Sequence, residues 1–217
     1  MTFAEPLPGA TELERRLGSS LRDTHLETPR AIATFEDMPA GVDKMLTAAL
    51  RAGLRPAAVL IPVIRRGSEL SVLLTVRSAH LRSHSGQIAF PGGAKDAEDI
   101  TAVDNALREA REEVGLDPHS VEIVGYLDDY PTLSRFVITP VVGLVDGAPA
   151  LSADTGEVAE MFEVPLSFIA ERRNFERKLL DRDGFKVPFR ELNWQQYRIW
   201  GATAGMLWDL AGRMGRG

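Results

Sequence analysis

The chain has 217 residues, a formal net charge of −6, 44% apolar and 26% charged side chains, and no cysteine. That size allows one domain with appendages, or at most two small domains, around a core of ordinary extent. The missing cysteine excludes disulfides, thiolate catalysis and cysteine–zinc sites, and the acidic balance argues against a general nucleic-acid or membrane-surface partner, since either would repel the chain.

In chain order, residues 1–53 read as an amino-terminal helical extension with two helix-like patches, Thr11–Arg22 and Gly41–Ala52, separated by Pro29 and Pro39. The start, MTFAEPLPGATELERRLG, lacks a basic stretch followed by an apolar one, so no secretory signal is expected. The longest apolar run, around Pro56–Ile64, falls short of the ~18 residues that span a bilayer and suits a buried strand. Ala57–Arg65 (AAVLIPVIR) and Leu70–Arg77 (LSVLLTVR) flank Arg66-Gly67-Ser68 and read as a hairpin. Thr101–Val114 places apolar residues at 103, 106, 107, 110 and 114, a helical stripe that Gly115 is placed to end. Val121–Leu127 and Phe136–Val145 read as strands, and Phe162–Arg172 as helical. Asp183-Gly184 suggests a tight turn between two short strands, and Ala202–Met214 a last helix. Strands interleaved with two or three helices indicate a layered α/β (α+β) domain, here residues 54–217.

The chemistry is concentrated in the 101–114 helix. At about 100° per residue, Glu109, Glu112 and Glu113 fall within a roughly 100° arc, beside the apolar stripe. Like charges packed so closely repel by a few tenths of a kcal/mol per pair. A divalent cation turns that repulsion into coordination, and hard oxygen ligands suit Mg²⁺ or Mn²⁺. Arg108 lies one turn from Glu112 and can orient it. Seen alone, REAREE is more often a solvated face. Its context argues otherwise, because Phe90-Pro91-Gly92-Gly93 precedes the helix and glycine lets backbone approach metal or phosphate closely. Gly93, Arg108, Glu109, Glu112, Glu113 and Gly115 at fixed spacing should arise by chance in on the order of one chain in 10⁵.

Behind the Gly92-Gly93 turn, Arg108–Leu116 (REAREEVGL) resembles the Nudix box. The resemblance implies the Nudix fold, an α/β/α sandwich around a mixed β-sheet, and hydrolysis of a nucleoside diphosphate linked to another group. It also implies Glu109, Glu112 and Glu113 as ligands for Mg²⁺ or Mn²⁺, Arg108 as the orienting cation and Gly93 as the loop residue. The match departs in one place: the family's glycine and acid fall at Ala94 and Ile100. Gly93 and Asp99 can take those roles if one extra residue lies before Arg108, and Glu98 is an alternative for the acid.

Leu73–Gly93 (LLTVRSAHLRSHSGQIAFPGG), with the one-residue-longer box, is similar to the coenzyme A diphosphatase branch of that family, as are Val137–Gly143, Glu157–Leu166 and Arg198–Thr203 (RIWGAT). The branch implies cleavage of coenzyme A or its derivatives to 3′,5′-ADP and (acyl-)4′-phosphopantetheine. Arg77, Arg82, His84, Gln87, Gly92 and Gly93 are its candidate substrate contacts, each arginine being equally readable as an ordinary surface residue. Glu157 resembles a glutamate that many Nudix enzymes bring from a loop to the metals or the attacking water; it also reads as a helix-start acid near Thr155. Trp194, Tyr197 and Trp200 are either adenine-stacking residues or, as aromatics more often are, core. His25, His80 and His119 carry no spacing signal. Hydrolysis of ADP-ribose, NADH or a damaged nucleoside triphosphate, or a non-catalytic Nudix module, remain the alternatives. The expected setting is cytoplasmic, with a small nucleotide substrate, no nucleic acid and no membrane as partners, and a homodimer left open.

Overall fold

The computed structural model describes residues 11–27, 30–33, 53–80, 86–132, 134–147, 149–182 and 185–215. The Gly41–Ala52 patch, Arg82, His84 and the Asp183-Gly184 turn lie outside the described residues.

Strand β1 (Arg55–Arg66) is the axis of the molecule. It runs parallel to β7 (Phe136–Val145) through ten registered pairs, from Arg55–Phe136 to Ile64–Val145. Its other edge pairs antiparallel with β2 (Glu69–Arg77) at one end and with β4 (Gly92–Ala94) at the other. Strand β2 carries β3 (Ile88–Ala89) and β8 (Val158–Pro165), and β7 carries β5 (Val121–Tyr126) and β6 (Tyr130–Pro131), completing a mixed sheet of eight. Both faces of β1 are covered. Ala58, Leu60 and Ile64 meet α2 (Ala102–Val114) through Ala106, Ala110 and Val114. Val59, Ile61 and Val63 belong to the other core, with Leu17 and Leu21 of α1 (Glu12–Leu21), α3 (Leu166–Ala170), and Leu207 and Leu210 of α4 (Gly201–Met214). A strand buried on two sides reads as a continuous apolar run without alternation, which is what AAVLIPVI is. The result is the expected α/β/α sandwich around a mixed sheet.

Helix α2 begins where its sequence provides a capping box: Thr101 accepts from Asp104 N–H while the Asp104 carboxylate accepts from Thr101 N–H. It ends at Gly115, whose φ of 67° is the left-handed cap that glycine adopts without a Cβ penalty.

The Phe162–Arg172 helix is corrected. Residues 158–165 are strand β8, only Leu166–Ala170 is α-helical, and Arg172 opens a short 3-10 turn, Arg172–Asn174. Val158, Phe162 and Val164 are buried with the period of a strand, then Leu166 and Ile169 with that of a helix, and the sequence window straddled the change. Beyond it, β9 (Phe175–Arg182), β10 (Phe185–Trp194) and β11 (Tyr197–Trp200) form a separate three-stranded antiparallel sheet. No helix is long and apolar enough to cross a membrane among the described residues.

Candidate active site

The site forms where β4 passes between β1 and α2. Gly92 has no room for a side chain: a Cβ there would lie 2.5 Å from the Ala58 carbonyl oxygen. A Cβ on Gly93 would lie 2.5 Å from Oε1 of Glu109. The two glycines therefore serve different neighbours, one the backbone of the central strand and the other a box carboxylate.

Burial divides the three box glutamates. The Glu112 side chain is 59% exposed, that of Glu109 16% and that of Glu113 3%. Gly92 N–H donates to Glu113 Oε2 at 3.2 Å, and Arg77 Nη1 lies 3.4 Å from Oε1. Burial nonetheless dominates and pushes the Glu113 carboxyl up to about 7; Arg77 and the Gly92 amide oppose the rise, while Glu109 and Glu157 add to it. Glu109 is likewise raised, first by burial, and Arg108 opposes that rise.

Arg108 is the hub. It donates to Asp99 at 3.1 and 3.0 Å and to Glu112 at 2.9 Å, and its Nη2 lies 2.9 Å from Glu109. Asp99 is buried, and its hydrogen bond with Arg108 holds its carboxyl below the usual range. Glu98 is exposed. Of the two acids that were open, Asp99 is the one on Arg108. Glu157 is exposed on the loop entering β8, away from any helix start, and its carbonyl accepts from Ser78 N–H at 2.8 Å.

Three supporting residues escaped the sequence reading. Buried Asn105 donates to the Ala94 carbonyl at 3.0 Å, and its own Oδ1 has no hydrogen-bond partner. The two carbonyls of β3 each accept from a buried threonine hydroxyl: Ala89 from Thr75 at 3.2 Å, and Ile88 from Thr203 at 2.9 Å. These clamps hold the strand that leads directly into Phe90-Pro91-Gly92-Gly93. Thr203 ends the RIWGAT stretch, so a signal existed in the sequence without its mechanism. Of the candidate substrate contacts, Arg77, Gly92 and Gly93 meet the box carboxylates, whereas Gln87 is tied through its backbone, accepting from Arg77 N–H at 2.9 Å. The aromatics are engaged internally: Tyr197 stacks on Phe162 at 3.6 Å, Trp194 packs on Phe168 and Trp200 on Phe189.

Residues 54–182 match the family model for the NUDIX domain, more than half of the chain. The chain belongs to the Nudix hydrolase family. A Citrobacter koseri protein named "Uncharacterized Nudix hydrolase NudL" is 44% identical over 161 residues, covering 74% of this chain and 83% of its own. The protein of the same name from Escherichia coli strain K12 is 42% identical with the same coverage. Among solved structures, a C. elegans Ap4A hydrolase binary complex is similar at a TM-score of 0.44 and 17% identity, covering 52% of this chain and 82% of that one. The NUDIX domain of Shewanella oneidensis NrtR complexed with ADP ribose gives 0.42 and 20%, with 60% and 85% covered.

Within this Nudix site the donors suit a hard cation: Glu109, Glu112, Glu113 and Glu157 offer only oxygen, and burial and mutual repulsion hold Glu109 and Glu113 above the usual carboxylate range. As they stand, Glu109 and Glu112 turn to Arg108, and Glu113 to Gly92 and Arg77. Among the described residues no three acids or histidines converge to ligating distance.

Proposed function

We propose that this Nudix hydrolase cleaves the diphosphate bond of coenzyme A or a derivative, releasing 3′,5′-ADP and (acyl-)4′-phosphopantetheine. The observation that carries the reading is the place of the stretch similar to coenzyme A diphosphatases. It runs from β2 to β4, and Arg77 in its first part and Gly92 next to its end both meet the buried carboxylate of Glu113. Contact between a segment that carries this resemblance and a box glutamate supports a role for that segment in receiving the substrate.

Nudix hydrolases generally use divalent cations such as Mg²⁺ or Mn²⁺. Glu109, Glu112 and Glu113 would hold the cation here, and when bound it neutralises the diphosphate and acidifies a bound water. The protein's own side chains do the rest. Arg108, anchored on Asp99, keeps Glu109 and Glu112 in place. Arg77, 3.4 Å from Glu113, would give a phosphate oxygen of the substrate a bidentate match that guanidinium makes well. Glu157, on the exposed loop beside Glu109 and Glu113, accepts the proton of the attacking water. Water adds to one phosphorus, the bridging P–O bond breaks, and the departing phosphate carries the electron pair.

The test is a substrate panel with product identification, followed by kcat/KM for coenzyme A and 3′-dephospho-coenzyme A in wild type, Arg77→Ala and Arg82→Ala. Wild type should prefer coenzyme A, and one variant should lose that preference while still cleaving the dephospho form. Equal losses on both substrates assign that arginine to the diphosphate. A wild type that ignores coenzyme A and cleaves ADP-ribose or NADH overturns the substrate and leaves the family chemistry standing.

A further inference from the structure

The three-stranded sheet ends on β9, and among the described residues β10 is its only hydrogen-bonded neighbour. Its sequence, FERKLLDR, has no proline to blunt the edge, and its register with β10 is unbroken by a bulge. Three large apolar side chains are exposed among the described residues, and two of them are here: Leu179 at 51% and Leu180 at 38%. Being consecutive on a strand, they point to opposite faces, so the edge is apolar on both sides.

The groups this edge offers follow from β10. Leu179 is registered with Pro188, which has no N–H to give. That pair is therefore of the non-hydrogen-bonded kind. The peptide groups of Leu179, and by alternation those of Arg177 and Asp181, then point away from β10 to the open edge. A second strand docking antiparallel must use these same residues.

Four two-fold registers satisfy that condition near the strand centre. Centred on Arg177, the arginine meets its own copy; centred on Lys178, the lysine does. Centred on Leu180, Leu179 faces a carboxylate, Asp181. Centred on Leu179, that leucine meets itself, Arg177 meets Asp181 of the second copy, and symmetry repeats the ion pair on the other side of the axis. On the opposite face Lys178 then lies across from Leu180, where its aliphatic stem can cover apolar surface while its ammonium stays with Glu176, 2.6 Å away. The order Arg177-x-Leu179-x-Asp181 is thus its own antiparallel complement. Arg177 and Asp181 are exposed. Each also interacts within its own chain, and the pairing does not require either to be idle.

We propose that β9 is a self-complementary edge through which two copies of this chain pair about a two-fold axis at Leu179, merging two three-stranded sheets into one of six strands. The occupant is a second copy because an unrelated strand would match only the backbone bonds, whereas this one also matches the charges.

The test uses the full chain. Sedimentation should give twice the chain mass at micromolar concentration. Arg177→Asp and Asp181→Arg, each creating two like-charge contacts per dimer, should weaken association roughly tenfold or more, and the double exchange should restore it. Because the chain has no cysteine, Leu179→Cys supplies a single thiol at the axis. Hydrogen-bonded partners there lie about 5.5 Å apart between Cα atoms, within disulfide reach, so mild oxidation should link two chains. Lys178→Cys, about 8 Å from its own copy in this register, should not link. Unchanged melting of each variant shows that folding is intact. A monomeric wild type, a dimer indifferent to both charge reversals, or cross-linking at 178 in preference to 179 overturns the proposal.

Discussion

Adding one methyl group at either glycine of β4 should separate folding from catalysis. At Gly93 the new Cβ would lie 2.5 to 2.7 Å from the Glu109 carboxyl, and 3.4 Å is where ordinary contact begins, so that carboxyl must retreat by about 1 Å. It is the end of a flexible side chain and can do so at little cost to the fold. A displacement of about 1 Å at a catalytic group costs on the order of 100-fold in rate. Gly93→Ala should therefore melt within a few degrees of wild type while kcat falls by about two orders of magnitude. At Gly92 the same methyl meets Ala58 O at 2.5 Å and Val59 Cα at 2.6 Å, which are backbone atoms of the central strand. Gly92→Ala should lose at least about 2 kcal/mol, roughly 4–8 °C in Tm for a chain of this size. The assay is steady-state hydrolysis of the best panel substrate beside a calorimetric melt of both variants. If Gly93→Ala turned over normally, or lost as much stability as Gly92→Ala, the assignment of Gly93 to the Glu109 carboxylate would be wrong.

Chelation should abolish activity and Mg²⁺ or Mn²⁺ restore it, with Zn²⁺ a poor substitute for want of cysteine or paired histidines; full turnover after exhaustive metal removal defeats the Nudix mechanism here. Glu113 has a carboxyl raised from an ordinary value near 4.5 to about 7 by burial. The folded state thus holds that proton more tightly, and the metal-free protein loses stability as pH rises from about 4.5 to 7. Glu113→Gln should accordingly raise the metal-free Tm near pH 8 and leave it unchanged near pH 4, while turnover falls by orders of magnitude; an equal effect at both pH values refutes the burial argument. Thr203→Val removes the hydroxyl that reaches the Ile88 carbonyl at 2.9 Å, a loss of about 1–3 kcal/mol. kcat should fall with it and recover in Thr203→Ser; a valine variant as active as wild type would show that the clamp does not position β4.

The residues that can do chemistry were legible in the sequence because they are local. Three glutamates and an arginine on one helix and a glycine after it depend on helical spacing alone, and spacing is written in the chain. The β1–β2 hairpin was legible for the same reason. Tertiary contacts decided what neighbours in sequence cannot distinguish. Glu112 and Glu113 are the same residue type one step apart, yet the turn of roughly 100° between them leaves one 59% exposed and carries the other, 3% exposed, beneath β4. Asp99 and Glu98 are both acids ahead of the helix, and only the fold of the 95–100 loop puts Asp99 on Arg108. Phe162–Arg172 misled because one apolar stretch serves two periods, and pairing with β2 claims its first half as strand. The hydroxyl clamps on β3 join residues 14 and 115 positions apart. No local pattern encodes such contacts, because the groups meet only once the sheet and α4 have packed.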